Sequence, residues 1–125
     1  MSGEKLAECM LAVRAAASGM TRIHCELEKL RDMAETGKID KKRLDESLER
    51  LSSGRAAVMA DATLESLSKC TCTPVDKLEK AVEPLLFEEW YVEPEPLKRQ
   101  VEERRRATEH VWDELTKLLA KPCER

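Results

Sequence analysis

The chain is predicted to be all-α: an antiparallel up-down bundle of three long helices plus one short, Pro-kinked helix. Three observations carry that expectation. Apolar residues recur at alternating steps of three and four, the spacing of a helical seam rather than of a strand. Of 125 residues 38% are charged and only 3% aromatic, with 4 glycines and 5 prolines, a profile of helical rods rather than sheets. The apolar residues are periodic rather than scarce, so the chain reads as one folded domain, long enough to bury a real core.

The first helix is expected over residues 3–36. Its seam is Leu6, Cys9, Val13, Ala16, Met20, Ile23, Leu27, Leu30 and Ala34. That seam asks for neighbours along roughly 50 Å of helix. Gly37 follows, where a left-handed cap residue belongs. Gly19 sits in mid-helix at a cost of about 1 kcal/mol against alanine. Close approach of a second helix explains it; a hinge is the other reading.

The second helix, residues 40–69, starts on Asp40 as N-cap, with Ile39 stapled to Leu44. The link before it is short, so the first two helices should be antiparallel neighbours. Its seam opens as Leu44, Leu48 and Leu51 and later shifts to Ala57, Ala60, Leu64 and Leu67. A stutter or bend is expected around Ser52-Ser53-Gly54. The third helix, residues 74–92, follows a Thr73 cap with Pro74 at its first position. Val75, Leu78, Val82 and Leu85 form its seam, and Pro84 must kink or split it. Residues 93–96 should be extended through two prolines. The last helix, residues 96–120, presents Leu97, Val101, Arg104, Thr108, Val111, Leu115 and Leu118.

The net charge of −3 offers no concentrated positive surface, so a nucleic-acid partner is not expected. Acidity gathers in residues 74–96, where 7 acidic side chains face 2 basic ones. No apolar run is long enough for a membrane span. Five cysteines, with Cys9 and Cys25 inside a helical pattern, suggest free thiols in a reducing compartment, cytoplasmic with the nucleus as alternative.

Candidate chemistry is sparse. The carboxylates, among them Glu26, Glu28 and Asp32 beside Lys29, read as paired surface charges. A zinc site from His24, Cys25, Cys70 and Cys72 lacks the paired short spacings such sites use. Adjacent helical residues also point about 100° apart. A thiol function for Cys70-Thr71-Cys72 is a minor alternative. No catalytic residue, metal ligand or cofactor is assigned, and the chain is read as non-enzymatic.

The most informative stretch is Leu85 to Val92. On a helix Phe87, Trp90 and Tyr91 share one face, with Leu86 a turn before Trp90. Such a face is either an interface hot spot or a plug for the open end of the bundle. Arg104 falls on a seam and must snorkel or pair. Arg104 and Arg105 offer a dock for an acidic partner, or for the chain's own acidic segment. The partner-binding candidates are therefore Leu86, Phe87, Trp90, Tyr91, Arg104 and Arg105.

Together these observations predict a protein-interaction module, an adaptor or assembly subunit. Its partners would be proteins, helical ones included, in homo- or hetero-oligomers. In size and helix number the chain is similar to co-chaperone BAG domains and to tubulin-folding cofactor A. That likeness is one of fold alone and implies, as the alternative, a helical co-chaperone-type cofactor.

Overall fold

The computed structural model describes residues 3–87 and 89–120. Five α-helices occur among them: α1 (Gly3–Thr36), α2 (Lys41–Met59), α3 (Asp61–Thr71), α4 (Val75–Val82) and α5 (Pro94–Ala120). A short 3-10 turn, Glu83–Leu85, follows α4. The expected three long helices and one short one are therefore corrected to five, still all-α.

α1 is the spine, touching α2, α3 and α5. Its end is built as its residues suggest. Gly37 takes φ +74°, and its N–H donates to the Ala34 carbonyl. Asp40 then caps α2, its carboxylate accepting from the Lys42 N–H at 3.0 Å. The link is too short for anything but a reversal, so α2 runs back along α1. Gly19 lies against Gly54, and Glu26 against Ser47 and Arg50.

The second correction concerns where the long second helix breaks. It does so at Ala60, which is extended at φ −60°, ψ 135°, and not around Ser52–Gly54. Val58 and Leu64 are both buried but six residues apart, a spacing no single helical seam provides. One non-helical residue absorbs the phase difference and lets α3 turn its own seam, Leu64 and Leu67, to the core. The freed Ala57 carbonyl accepts from the Thr63 hydroxyl at 3.0 Å. Gly54, by contrast, stays helical and is buried because α1 passes against it.

Pro84 does more than kink the third predicted helix. α4 stops at Val82, and residues from Leu86 to Glu93 are not helical where described. Pro84 has no N–H to donate, and its ring disfavours the α-turn before it, so a 3-10 turn ends the element. Pro74, not Thr73, occupies the N-cap of α4. Pro94 and Pro96 both fall in the first turn of α5, where no N–H needs an intrahelical acceptor. That stretch was expected extended; it is helical, and the Leu97 N–H donates to the Glu93 carbonyl at 3.0 Å.

One apolar core joins all the elements. α1 contributes Ala12, Ala16, Met20, Ile23, Leu27, Leu30 and Ala34. α4 and its 3-10 turn insert Leu78, Val82 and Leu85, and α5 supplies Leu97, Val101, Val111 and Leu115. The α5 seam matches the one expected, with Arg104 and Thr108 buried in it. α5 runs antiparallel to α1: Arg105 reaches Glu28 at 3.7 Å, and Thr108 and Trp112 lie beside Met20 and His24.

The free-thiol expectation fails. Cys9 and Cys70 form a disulfide that ties the start of α1 to the end of α3, with Cα atoms 5.6 Å apart. Cys72 is disulfide-bonded as well, and Cys25 is a free, exposed thiol. Among the described residues no group of three or more His, Cys, Asp or Glu side chains could hold a metal ion. The zinc arrangement considered from the sequence is not formed, since Cys70 is bonded to Cys9. No helix among the described residues is long and apolar enough to cross a membrane.

Candidate functional site

The aromatic segment is a chain reversal clamped to α5, not a helical face. Phe87 and Trp90 are half-buried against the core, their rings edge-to-face with centroids 6.0 Å apart. The Arg104 guanidinium lies 3.9 Å from the Trp90 ring centroid and 5.4 Å from that of Phe87. It also donates to the Glu89 carbonyl at 3.1 Å. Gln100 adds a second clamp: it accepts from the Tyr91 N–H at 2.8 Å and donates to the Glu89 carbonyl at 2.9 Å. A buried cation held against ring faces is stabilised by their quadrupoles where water is excluded.

Phe87, Trp90 and Arg104 thus hold the segment down. Leu86 and Tyr91, of the same predicted set, are exposed, as is Val92. Arg105 is not brought to the aromatics. It belongs to a charge network with Glu28, Glu102 and Glu109 at 3.7–3.9 Å. Trp90→Ala should therefore lower stability by about 2 kcal/mol in urea melts, less than the 3–5 typical of a fully buried tryptophan. An unchanged midpoint would contradict the clamp.

Glu26 is a residue the sequence reading misplaced on the solvated surface. It is only 2% exposed. It sits three residues after Ile23 and beside Leu27, on the core side of α1. Its carboxylate accepts from Arg50 Nε at 2.6 Å, Ser47 Oγ at 3.1 Å and Lys29 Nζ at 3.2 Å. Burial by itself raises its pKa, but the hydrogen bonds from Arg50, Lys29 and Ser47 and the Arg50 charge outweigh it. The carboxyl ends below its ordinary value of 4.5. Such a saturated carboxylate is a structural tie between α1 and α2, poorly suited to accept a proton at neutral pH.

The sign of the pH dependence follows. A depressed folded pKa stabilises the protein above the unfolded value, and that stability is lost as pH falls below about 4.5 towards the folded pKa. Glu26→Gln should cost about 1–2 kcal/mol at pH 7 and reduce the loss between pH 5 and 3. A variant with an unaltered pH profile would contradict this role.

A second exposed apolar surface lies on the first half of α1. Leu6 is 53% exposed, Met10 58% and Val13 41%, whereas Ala12 is only 6% exposed. Leu6 and Val13 are members of the expected seam. A seam that repeats every seven residues drifts by about 20° per heptad on a straight helix. Ala34, Leu27, Met20, Val13 and Leu6 are spaced by sevens, so four heptads carry Leu6 about 80° from Ala34. Ala12 takes the inward place that Val13 leaves.

The displaced strip leads to a cleft between α1 and α5 of about 240 Å3, lined by Met20, Thr21, His24, Thr108, Glu109 and Trp112. Trp112 is 46% exposed there. The hydroxyls of Thr21 and Thr108 donate back to the Ala17 and Arg104 carbonyls, at 2.9 and 2.7 Å. With those hydroxyls occupied, the cleft is apolar between Glu109 and His24. The sequence carries a signal for this face, the mismatch between a 3.5-residue repeat and a 3.6-residue helix. Leu11 is exposed too, but on another side of α1.

Neither a protein-family model, nor a curated protein, nor a solved structure was found to match the chain.

Proposed function

We propose that this chain is a protein-interaction module that captures an amphipathic helix of a partner protein on the α1–α5 face. The observation that carries the reading is the exposed strip Leu6, Met10 and Val13 running towards the Trp112 cleft. From Leu6 to His24 it extends for about 27 Å, or five turns. Apolar side chains spaced i, i+4, i+7 along a groove are what a second helix recognises. A strip of large exposed apolar residues on a compact domain marks a contact surface. Glu109 borders it on α5, so the partner helix carries a cation at that edge. The role is that of an adaptor or assembly subunit, without catalysis.

The Leu86–Tyr91 segment, first proposed as the contact, becomes the secondary face, because its two largest rings hold the chain's own loop. The paired cysteines favour an oxidising compartment over the cytoplasm or nucleus expected from free thiols.

Met10→Asp with Val13→Asp tests the reading. Both side chains are exposed, so stability should change by no more than about 0.5 kcal/mol. Capture of the cognate partner should weaken at least tenfold against the unmodified chain. Intact capture, or a large loss of folding stability instead, would contradict it.

A further inference from the structure

We infer that the Cys9–Cys70 disulfide is a latch that presents this face, so that capture of a partner helix requires its oxidation. The inference rests on the proposed docking role of the strip. Residues 3–11 of α1 contribute no buried side chain; the first is Ala12. They nonetheless form a regular helix carrying Leu6 and Met10. A nine-residue segment in which only Cys9 is even half-buried has little to hold its order. The bridge at Cys9 supplies a covalent anchor two residues before its end, on Cys70 near the end of α3. Opened, the arm frays, and a partner must then meet the ordering entropy of each residue it fixes.

The bridge is placed for access. It lies in an open surface cleft of about 540 Å3 lined by Glu4, Lys5, Glu8, Ser66 and Lys69. Two ammonium groups and two carboxylates line it, so the cleft carries no net charge against an incoming thiolate. The reaction is exchange with a dithiol. One thiolate of the reductant attacks a protein sulfur, the Cys9–Cys70 bond breaks, and the leaving thiolate takes up a proton. The second thiol of the reductant then resolves the mixed disulfide. The protein gains two thiols, and the dithiol leaves as a disulfide.

The test uses the full chain and Cys9→Ser/Cys70→Ser, which opens this bridge without a reductant that would also open that of Cys72. Amide exchange at residues 7–11 should accelerate at least tenfold relative to residues 23–30 of the same helix. The binding probe is a synthetic amphipathic peptide with leucines at heptad a and d positions and lysines along one flank. Its affinity should fall at least tenfold in the double variant. Met10→Asp, with the bridge intact, should weaken the peptide without altering exchange at residues 7–11. Unchanged protection of the arm, or uniform acceleration along α1, overturns the latch. Selective fraying with equal peptide affinity overturns its control of binding. Selective fraying with no peptide bound by either form removes the docking reading, and the regulation with it.

Discussion

Replacing Gly19 with alanine should destabilise the protein by about 2 kcal/mol, although alanine is the better helix former by about 1 kcal/mol. A Cβ at Gly19 would stand 2.6 Å from the Gly54 carbonyl oxygen and 2.6 Å from a Val58 methyl. The methyl belongs to a fully buried side chain, and the carbonyl is helix backbone. Neither yields without pushing α2 off α1, and the Glu26–Arg50 tie two turns further along resists that separation. At Gly54 the same change meets the Gly19 carbonyl oxygen at 2.9 Å and Arg22 side-chain carbons at 3.1 and 3.3 Å. Arg22 is flexible, so Gly54→Ala should cost less. Gly3→Ala, with nothing within 4 Å, should be neutral or slightly stabilising. Denaturant melts of the three variants should give that order. Gly19→Ala at or above the stability of the parent would mean that the two helices are not in backbone contact.

Loss of the Cys9–Cys70 bridge should lower global stability by about 2 kcal/mol in Cys9→Ser/Cys70→Ser. The two cysteines are separated by 61 residues in sequence. For a loop of that length the chain-entropy account gives about 4 kcal/mol. That figure assumes a native state equally ordered with and without the link. Here the residues around Cys9 are exposed, so the bridge restrains the folded arm as well as the unfolded chain, and part of the gain cancels. Urea melts of parent and variant measure the difference. A loss near the full 4 kcal/mol would mean that the arm stays docked on α3 unaided. No loss would mean that the two cysteines are not joined.

The spine and the last helix were legible because their burial is decided locally. Ile23, Leu27, Leu30 and Ala34, and the α5 series from Leu97 to Leu115, lie where a helical repeat puts them. Asp40 and Gly37 end their turns through their own side-chain and backbone chemistry. The features that escaped depend on what lies opposite. The break at Ala60 has no glycine or proline to announce it; it follows from the phases of Val58 and Leu64 once both must face α1. Gly54 drew the expected bend to itself, yet its purpose is contact with Gly19. Glu26 passed as a surface charge because only the fold brings Arg50 and Ser47 to it. Pro94-Glu95-Pro96 reads as extended until the preceding reversal, pinned by Arg104 and Gln100, supplies a helix start.

The aromatic cluster shows the same limit in reverse. Phe87, Trp90 and Arg104 were each singled out, the aromatics as an interface or a plug and Arg104 as a seam cation in need of a partner, but on separate helices. Their joint role emerged only when the chain between α4 and α5 was seen to fold back, setting a cation against two edge-to-face rings. Leu6 and Val13 were legible in the sequence as members of the first helix's seam, which asks for neighbours along its whole length, but not as the part of it that is left exposed. A strict heptad repeat on an unsupercoiled helix cannot keep all of its members inward, and those farthest from the buried end rotate out.

Chemical-shift mapping of the folded chain with the leucine-lysine amphipathic peptide tests the central claim most directly. The account predicts perturbations concentrated at Leu6, Met10, Val13, Thr21, His24 and Trp112, with Leu86, Tyr91 and Val92 unmoved. Perturbations centred on Leu86–Val92, or none at saturating peptide, would contradict it.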